Sequence, residues 1–136
     1  MLALAHHEAG GRYQLDHVIT TATPHNGGWK LDGTKAVVLG APSADKLIVS
    51  ARDSGGVSLF LVDAKAPGLT LRTYPTQDGA RAANIKLAGV EVGADALIGA
   101  AGRGLSIVER ALDYANAALC AEAVGIMEAT IAATTE

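Results

Sequence analysis

The feature that most constrains the fold of this chain is a series of β-rich runs between residues 28 and 63. These runs consist of β-branched and apolar residues, which favour extended strands. The turn-forming residues that separate them are Asp32-Gly33, Pro42-Ser43 and Ser54-Gly55-Gly56. Asp-Gly between two such runs predicts a tight hairpin, because a type I′ turn needs positive φ at both central residues. The stretch therefore predicts a β-meander whose successive strands pair with one another.

Strand patterns also occur on both sides of this meander. The further candidates are residues 16–23, 69–74, 82–87 and 90–92, the last two flanking Gly89. The central runs are nearly continuous in apolar residues, which is typical of strands covered on both faces or curled into a barrel. We therefore expect a mainly β fold, organised as a small antiparallel β-barrel or sandwich.

The hydrophobic period changes near Gly104. From there apolar residues recur at steps of three and four, which predicts one long C-terminal α-helix. The expected division is a β-domain over residues 1–98, followed by a hinge and helix over residues 99–136. The apolar band is as wide as that of a helix inside a bundle, so we expect a truncated helical domain. We also expect self-association through this helix, or instability without its missing neighbours, with Leu112 and Leu119 near the centre of the contact.

Composition narrows the classes of function. With 49% hydrophobic and 18% charged residues and a net charge of −3, the chain has no basic stripe for nucleic acid. No signal peptide or membrane-spanning run is expected, which predicts a soluble protein without membrane contact, in the cytoplasm. The single cysteine, Cys120, excludes an internal disulfide and a cysteine-based zinc site, and its position on the helix predicts a buried thiol.

Two short motifs can each be interpreted either as a site with a chemical role or as an ordinary structural segment. His6-His7-Glu8 is a conceivable metal site, but neighbouring strand residues point to opposite faces and no third ligand is evident. We therefore expect no metal, and interpret these residues as an exposed or cofactor-adjacent loop. The glycines of residues 99–104 precede a helix without the Lys-Ser/Thr ending of a P-loop, which favours an interdomain hinge over a phosphate site.

In combination, the landmarks of the chain resemble the middle β-domain of acyl-CoA dehydrogenases, followed by the first helix of their C-terminal domain. These landmarks are the loop AHHEA, the segment GWKLDGTKAVVLGAPSADKLIVSAR, the strand VSLFLVD, APGL, and IKLAGVEVGADALIG. The pattern is similar to a divergent branch whose members act as the smaller subunit of a heteromeric enzyme.

The resemblance implies FAD as cofactor, with His6, His7, Val37, Val38 and Leu39 as cofactor-binding positions. Relatives usually have Thr-Glu-Pro in the first loop, where this chain has His-Glu-Ala. They commonly have Trp-Ile-Thr or Trp-Ile-Ser in the second loop, where this chain has Val-Val-Leu. Backbone contacts to the flavin are therefore expected in place of the family's side-chain contacts.

The resemblance also implies oxidation of an acyl-CoA to the 2,3-enoyl-CoA, by α-proton abstraction and β-hydride transfer to flavin, as in fatty acid metabolism. Ala115 occupies the position where some relatives place the catalytic glutamate, so no catalytic residue is assigned. We expect the chain alone to be inactive. We also expect it to be part of a homo- or hetero-oligomer whose substrate is an acyl-CoA. The alternative is a non-catalytic β-barrel assembly module, or the small subunit of a heteromeric acyl-CoA dehydrogenase.

Overall fold

A computed structural model describes residues 1–135 of the chain. Within these residues the protein has eight strands, two short 3-10 helices and one long α-helix. The strands are β1 (Leu2–Ala5), β2 (Thr21–His25), β3 (Gly28–Leu39), β4 (Lys46–Asp53), β5 (Gly56–Asp63), β6 (Leu69–Pro75), β7 (Arg81–Val92) and β8 (Leu97–Ile98). The 3-10 helices are Ala41–Ser43 and Ala94–Ala96, and the α-helix is α1 (Gly104–Thr135). The prediction of a mainly β fold with one long C-terminal helix is confirmed.

All of the described strands belong to one mixed sheet. The pairing order is β6-β7-β3-β2-β4-β5-β8, and β1 pairs with β4 outside this path. Most neighbours are antiparallel, as expected, but β1 and β2 both run parallel to β4. The path ends at β6 and β8, so the sheet curls around a core without closing into a complete barrel.

The predicted hairpin at Asp32-Gly33 is wrong. Both residues lie inside β3, which pairs with β2 and β7 and not with the following strand β4. Local pairing occurs instead between β4 and β5. The tight turn is Asn26-Gly27 between β2 and β3, where φ values of +48° and +77° satisfy the requirement of a type I′ turn.

Two bulges interrupt the ladder between β3 and β7. At each bulge one residue faces two on the partner strand, and its side-chain oxygen accepts a backbone N–H that the ladder leaves unpaired. Asp32 Oδ1 accepts from the Gly89 N–H at 2.7 Å, and Asn84 Oδ1 accepts from the Val37 N–H at 3.1 Å. β7 therefore runs unbroken through Gly89, where the sequence predicted two separate strands.

The hydrophobic core is built from side chains of β1, β3, β4, β5 and β7. Its larger members are Leu31, Val38, Leu47, Val49, Phe60, Val62, Ile85, Leu87 and Val90. Trp29 packs against Phe60 with ring centroids 5.4 Å apart and tilted planes, an arrangement that aromatic pairs favour. The apolar runs recognised in the sequence thus form the interior of the sheet domain.

The chain divides into two compact units, Met1–Leu105 and the remainder of α1 from Ser106. Large apolar side chains of α1 are exposed, including Tyr114, Leu119 and Ile126. By length and by a mean hydropathy of 1.4, α1 could cross a membrane, so the expectation that no run approaches such length is wrong. Core helices of soluble proteins meet the same criterion. Cys120 is also exposed, so the predicted burial of its thiol is wrong.

Candidate functional site

The loop after β1 and the bulged part of β3 meet in the fold. The Ala36 N–H donates a hydrogen bond to the His7 carbonyl oxygen at 2.8 Å. Val37 follows Ala36 directly and stands at the second bulge. The structure thus brings together the two segments in which the sequence predicted cofactor contacts, although they are separated by some thirty residues of chain.

Val37, Val38 and Leu39 have different surroundings. Val37 is 50% and Leu39 is 63% exposed, whereas Val38 is 2% exposed and belongs to the core. Val37 has a φ of +52°, in a left-handed region that β-branched residues seldom adopt. Backbone strain of this kind tends to concentrate at functional sites. Val38 therefore offers a ligand no side chain, while Val37 and Leu39 present apolar groups to solvent.

His7 is the exposed member of the histidine pair. It lines a cavity of about 420 Å³ together with Arg12 and Tyr13. Among residues 1–135, no three His, Cys, Asp or Glu side chains come together in a way that could hold a metal ion. His7 is thus an exposed side chain at the edge of this cavity, and its predicted contact with a cofactor stays a prediction.

His6 is half-buried and serves as an anchor between segments of the chain. Its Nδ1 lies 3.0 Å from Ser50 Oγ on β4. Burial and the charge of Lys35 lower the pKa of His6, and a hydrogen bond with the Leu15 backbone partly offsets them. The ring is therefore neutral at pH 7, and its polar atoms face the protein. Its predicted role in cofactor binding stays a prediction.

A buried ion pair lies directly beneath these loops, and sequence reasoning missed it. Lys35 Nζ lies 2.6 Å from Glu8 Oε1, and the two side chains are 0% and 1% exposed. The same ammonium group donates to Ser50 Oγ at 2.9 Å and to the His6 carbonyl oxygen at 3.3 Å. All three hydrogens of the ammonium group thus have acceptors, which is the condition for keeping a charge in a protein interior.

The Glu8 carboxylate gathers a further set of donors. Thr20 donates to Oε1 through its hydroxyl at 2.6 Å and its backbone N–H at 3.1 Å, and the Ile19 N–H donates to Oε2 at 2.8 Å. These backbone groups are consequently withdrawn from sheet pairing. This explains why β2 begins only at Thr21, whereas the sequence predicted a strand from residue 16.

The two buried charges shift each other's protonation. Burial lowers the pKa of Lys35 to about 8, although the hydrogen bond and charge of Glu8 act in the opposite direction. Burial raises the pKa of Glu8, but hydrogen bonds from Lys35, Thr20 and the Ile19 amide outweigh this effect, so the pKa lies below its ordinary value. At pH 7 both groups are charged, and the pair is an ion pair.

The sequence contained one signal for this cluster. Lys35 is a charged residue inside an apolar strand pattern, and such a residue must either reach solvent or find a buried partner. In the sequence, Glu8 stands out only as part of a possible metal motif. Nothing in the local pattern of either segment indicates that the two side chains meet across 27 residues of chain.

The exposed surface at the bulge suits a flat apolar group. The side chains of Val37 and Leu39 carry no hydrogen-bonding atoms, and the Ala36 and Val37 N–H groups already donate to His7 and Asn84. Val37 and Leu39 can therefore pack against a flat apolar group, next to the backbone hydrogen bond between Ala36 and His7. Val37 and Leu39 present apolar surface rather than hydrogen-bond donors.

Comparison with known proteins gives a consistent result. The family model described as "Acyl-CoA dehydrogenase, middle domain" matches residues 3–91. The mitochondrial short-chain specific acyl-CoA dehydrogenase of Rattus norvegicus is 32% identical over 132 residues, which cover 91% of this chain and 32% of that protein. The chain thus spans about a third of the length of that relative.

Solved structures share the fold. A probable acyl-CoA dehydrogenase from Mycobacterium abscessus superimposes with a TM-score of 0.77 at 24% identity, covering 81% of this chain and 31% of that one. One chain of the ChsE4-ChsE5 complex from Mycobacterium tuberculosis gives a TM-score of 0.77 at 20% identity, covering 83% of this chain and 31% of that one.

Proposed function

Because this chain belongs to the acyl-CoA dehydrogenase family, we propose that it supplies the flavin-facing β-domain of an FAD-dependent acyl-CoA dehydrogenase. The proposed reaction of the whole enzyme is oxidation of an acyl-CoA thioester to the 2,3-enoyl-CoA. The chain covers about a third of its curated relative, so the activity is proposed for the protein that contains this domain.

The observation that carries the proposal is the meeting of two separate segments at one surface. The hydrogen bond between the Ala36 N–H and the His7 carbonyl oxygen joins the loop after β1 to the bulge of β3. Val37 and Leu39 are exposed next to this junction although they are large and apolar. Exposed apolar side chains beside a strained backbone favour a ligand-binding surface over an ordinary wet sheet face.

The residues present fit a flavin ring in part. Val37 and Leu39 would pack against the flat ring and exclude water from one face, and His7 would hydrogen-bond to a polar edge. FAD, when bound, supplies the acceptor for the hydride that leaves the β-carbon of the substrate. The α-proton needs a base within hydrogen-bond reach, and the exposed Ala115 on α1 cannot act as one.

A titration with FAD tests the proposed surface. Replacing Leu39 by Asp puts a charge against the ring, whereas Leu2→Asp alters a side chain on β1 of almost the same exposure, 60% against 63%. We expect Leu39→Asp to raise the Kd for FAD by about tenfold or more, because losing one leucine contact costs about 1.5–3 kcal/mol. Equal affinity of both variants and the unaltered chain would contradict the proposed surface.

We expect the 136-residue chain itself to be catalytically silent. It should not reduce an artificial electron acceptor when given FAD and a short-chain acyl-CoA, because no base is assigned within residues 1–135. Measurable turnover that depends on the chain and on FAD would show that a base has been overlooked.

A second candidate is a non-catalytic subunit that assembles with a catalytic partner. It is favoured by one observation: residues 37–39 offer no side-chain donors, and the amides of Ala36 and Val37 are already engaged. The ChsE4-ChsE5 structure is a complex of two different chains. A purified protein with a flavin absorption band supports the first proposal, whereas a colourless protein that copurifies with a flavin-containing dehydrogenase subunit supports the second.

A further inference from the structure

Three consecutive residues of β3 each donate to a different part of the fold. Lys35 bonds to Glu8 on the loop after β1, Ala36 bonds to the carbonyl oxygen of His7, and Val37 bonds to the side chain of Asn84 on β7. Hydrogen bonds to two other segments of the chain thus hold the bulge at the point where it reaches the exposed surface. These three hydrogen bonds are made in addition to the ladder that pairs β3 with its neighbouring strands.

The Lys35 ammonium group also orders the loop through a hydrogen-bond chain. Because Lys35 can only donate, Ser50 Oγ must accept from it at 2.9 Å, which leaves the Ser50 hydroxyl hydrogen free to donate to His6 Nδ1 at 3.0 Å. His6 Nδ1 is then an acceptor, and the ring proton resides on Nε2. One buried charge therefore sets the orientation of the residue that precedes His7.

Asn84 holds the strained residue from the opposite strand. Val37 would leave its left-handed conformation readily, because β-branched residues are strained there. The Asn84 side chain accepts the Val37 N–H at 3.1 Å and also accepts the Tyr74 hydroxyl at 3.1 Å, which fixes the amide in place. The strain is therefore maintained by contacts from outside the bulge.

From these contacts we propose that Lys35, Glu8 and Asn84 are positioning residues, which hold the His7 loop and the Val37 bulge in the one arrangement that forms the ligand-binding surface. The flavin part of this inference rests on the proposed function, while the positioning itself does not. Buried ion pairs add little net stability compared with apolar side chains of similar size, since desolvation offsets their attraction. Their directional contacts can instead specify a single geometry.

The test compares two paired substitutions. In the first, Lys35→Met with Glu8→Gln removes the buried charges but keeps an acceptor for Thr20. In the matched control, His25→Met with Glu91→Gln removes an exposed polar contact of the same chain, in which His25 Nε2 lies 3.2 Å from Glu91 Oε1. Amide hydrogen exchange is measured at Ala36, with Val49 in the middle of β4 as the internal reference.

We expect Ala36 exchange relative to Val49 to be about tenfold faster or more in the buried-pair variant and unchanged in the control. We also expect the Kd for FAD to rise by about tenfold in the buried-pair variant alone. Unchanged Ala36 protection in a folded buried-pair variant would overturn the inference. If the unaltered chain binds no FAD, the proposed function fails, and the exchange of Ala36 still decides the positioning role.

A second variant covers the case in which loss of the ion pair prevents folding. Asn84→Leu keeps the buried charges and removes the acceptor that the Val37 N–H and the Tyr74 hydroxyl share. We expect it to accelerate Ala36 exchange selectively, because the freed bulge relaxes away from the His7 carbonyl. Ala36 protection equal to that of the unaltered chain would overturn the inference by itself.

Discussion

Val37 is the residue at which local preference and the observed backbone disagree most. A valine in the left-handed region costs on the order of 1–3 kcal/mol, and the bulge keeps it there through the hydrogen bond to Asn84. Glycine has no such penalty, although it loses more entropy on folding. The strain is therefore measurable by substitution.

We predict that Val37→Gly raises the free energy of unfolding by up to about 1 kcal/mol, the relief of strain minus the entropy of glycine. The matched control is Ala36→Gly, at the neighbouring residue without positive φ, which should lower stability by about 0.5–1 kcal/mol. Urea denaturation measures both values. Equal destabilisation by the two substitutions would show that Val37 is not strained.

The lowered pKa of Glu8 predicts that the stability of the fold depends on pH. Its pKa in the folded protein lies below the ordinary value of 4.5, so it stabilises the fold fully above that pH. The stabilisation is lost as the pH falls from 4.5 through the folded pKa. We expect the free energy of unfolding to decrease over this range, and to decrease less in the Lys35→Met, Glu8→Gln variant. Parallel curves of urea midpoints against pH for the two proteins would contradict this assignment.

At the scale of elements, bulges decide how β3 is used. Asp32-Gly33 has the composition of a hairpin turn, yet it continues β3 because Gly89 and Asp32 form a bulge contact that absorbs the irregularity. Gly33 has a φ of +150°, and a Cβ added there would lie 2.6 Å from Thr20 Oγ1. Glycine is therefore required at this position by backbone conformation and by space.

We predict that Gly33→Ala lowers the free energy of unfolding by about 3 kcal/mol or more, combining strain with a steric clash. Gly27→Ala is the matched control, because Gly27 also has positive φ but has no atom within 4 Å of the added Cβ. Gly27→Ala should lower the free energy of unfolding by only about 1 kcal/mol. Similar losses at both sites, measured by thermal or urea unfolding, would mean that the contact with Thr20 is relieved by small movements.

At the scale of the whole molecule, the exposed apolar side chains of α1 favour an interface with another chain. Its exposed side chains include Leu119 and Ile126, which lie two turns apart, and also Tyr114, Met127 and Ile131. Large exposed apolar patches are unusual for a monomer and usually mark an interface. The expected self-association through Leu112 and Leu119 stays a prediction.

We predict that the 136-residue chain sediments as an oligomer and that Leu112→Lys with Leu119→Lys dissociates it. Each leucine buried in a contact contributes about 1.5–3 kcal/mol, so two buried charges should weaken association by several orders of magnitude. Ala117→Lys with Ala121→Lys adds the same charge on the opposite side of the helix and should leave association intact. A monomeric unaltered chain in sedimentation velocity at high concentration would refute the prediction.

The sequence by itself determined features that depend on near neighbours. Period-two and apolar runs indicated the strands, the change to a period of three to four residues indicated the helix from Gly104, and the loop and strand landmarks identified the family. These signals are local, because alternation along a strand and recurrence along a helix are read within a few residues of one another.

Only the tertiary structure decided which strands pair and which charges are buried together. β3 bypasses β4 to pair with β7, and Lys35 meets Glu8 across 27 residues of chain. The physical reason is that strand pairing and the solvation of a buried charge depend on partners distant in sequence, on which local preference has no bearing. The same Asp-Gly that forms a turn in an isolated hairpin becomes a bulge when a side chain and a distant strand satisfy its hydrogen bonds.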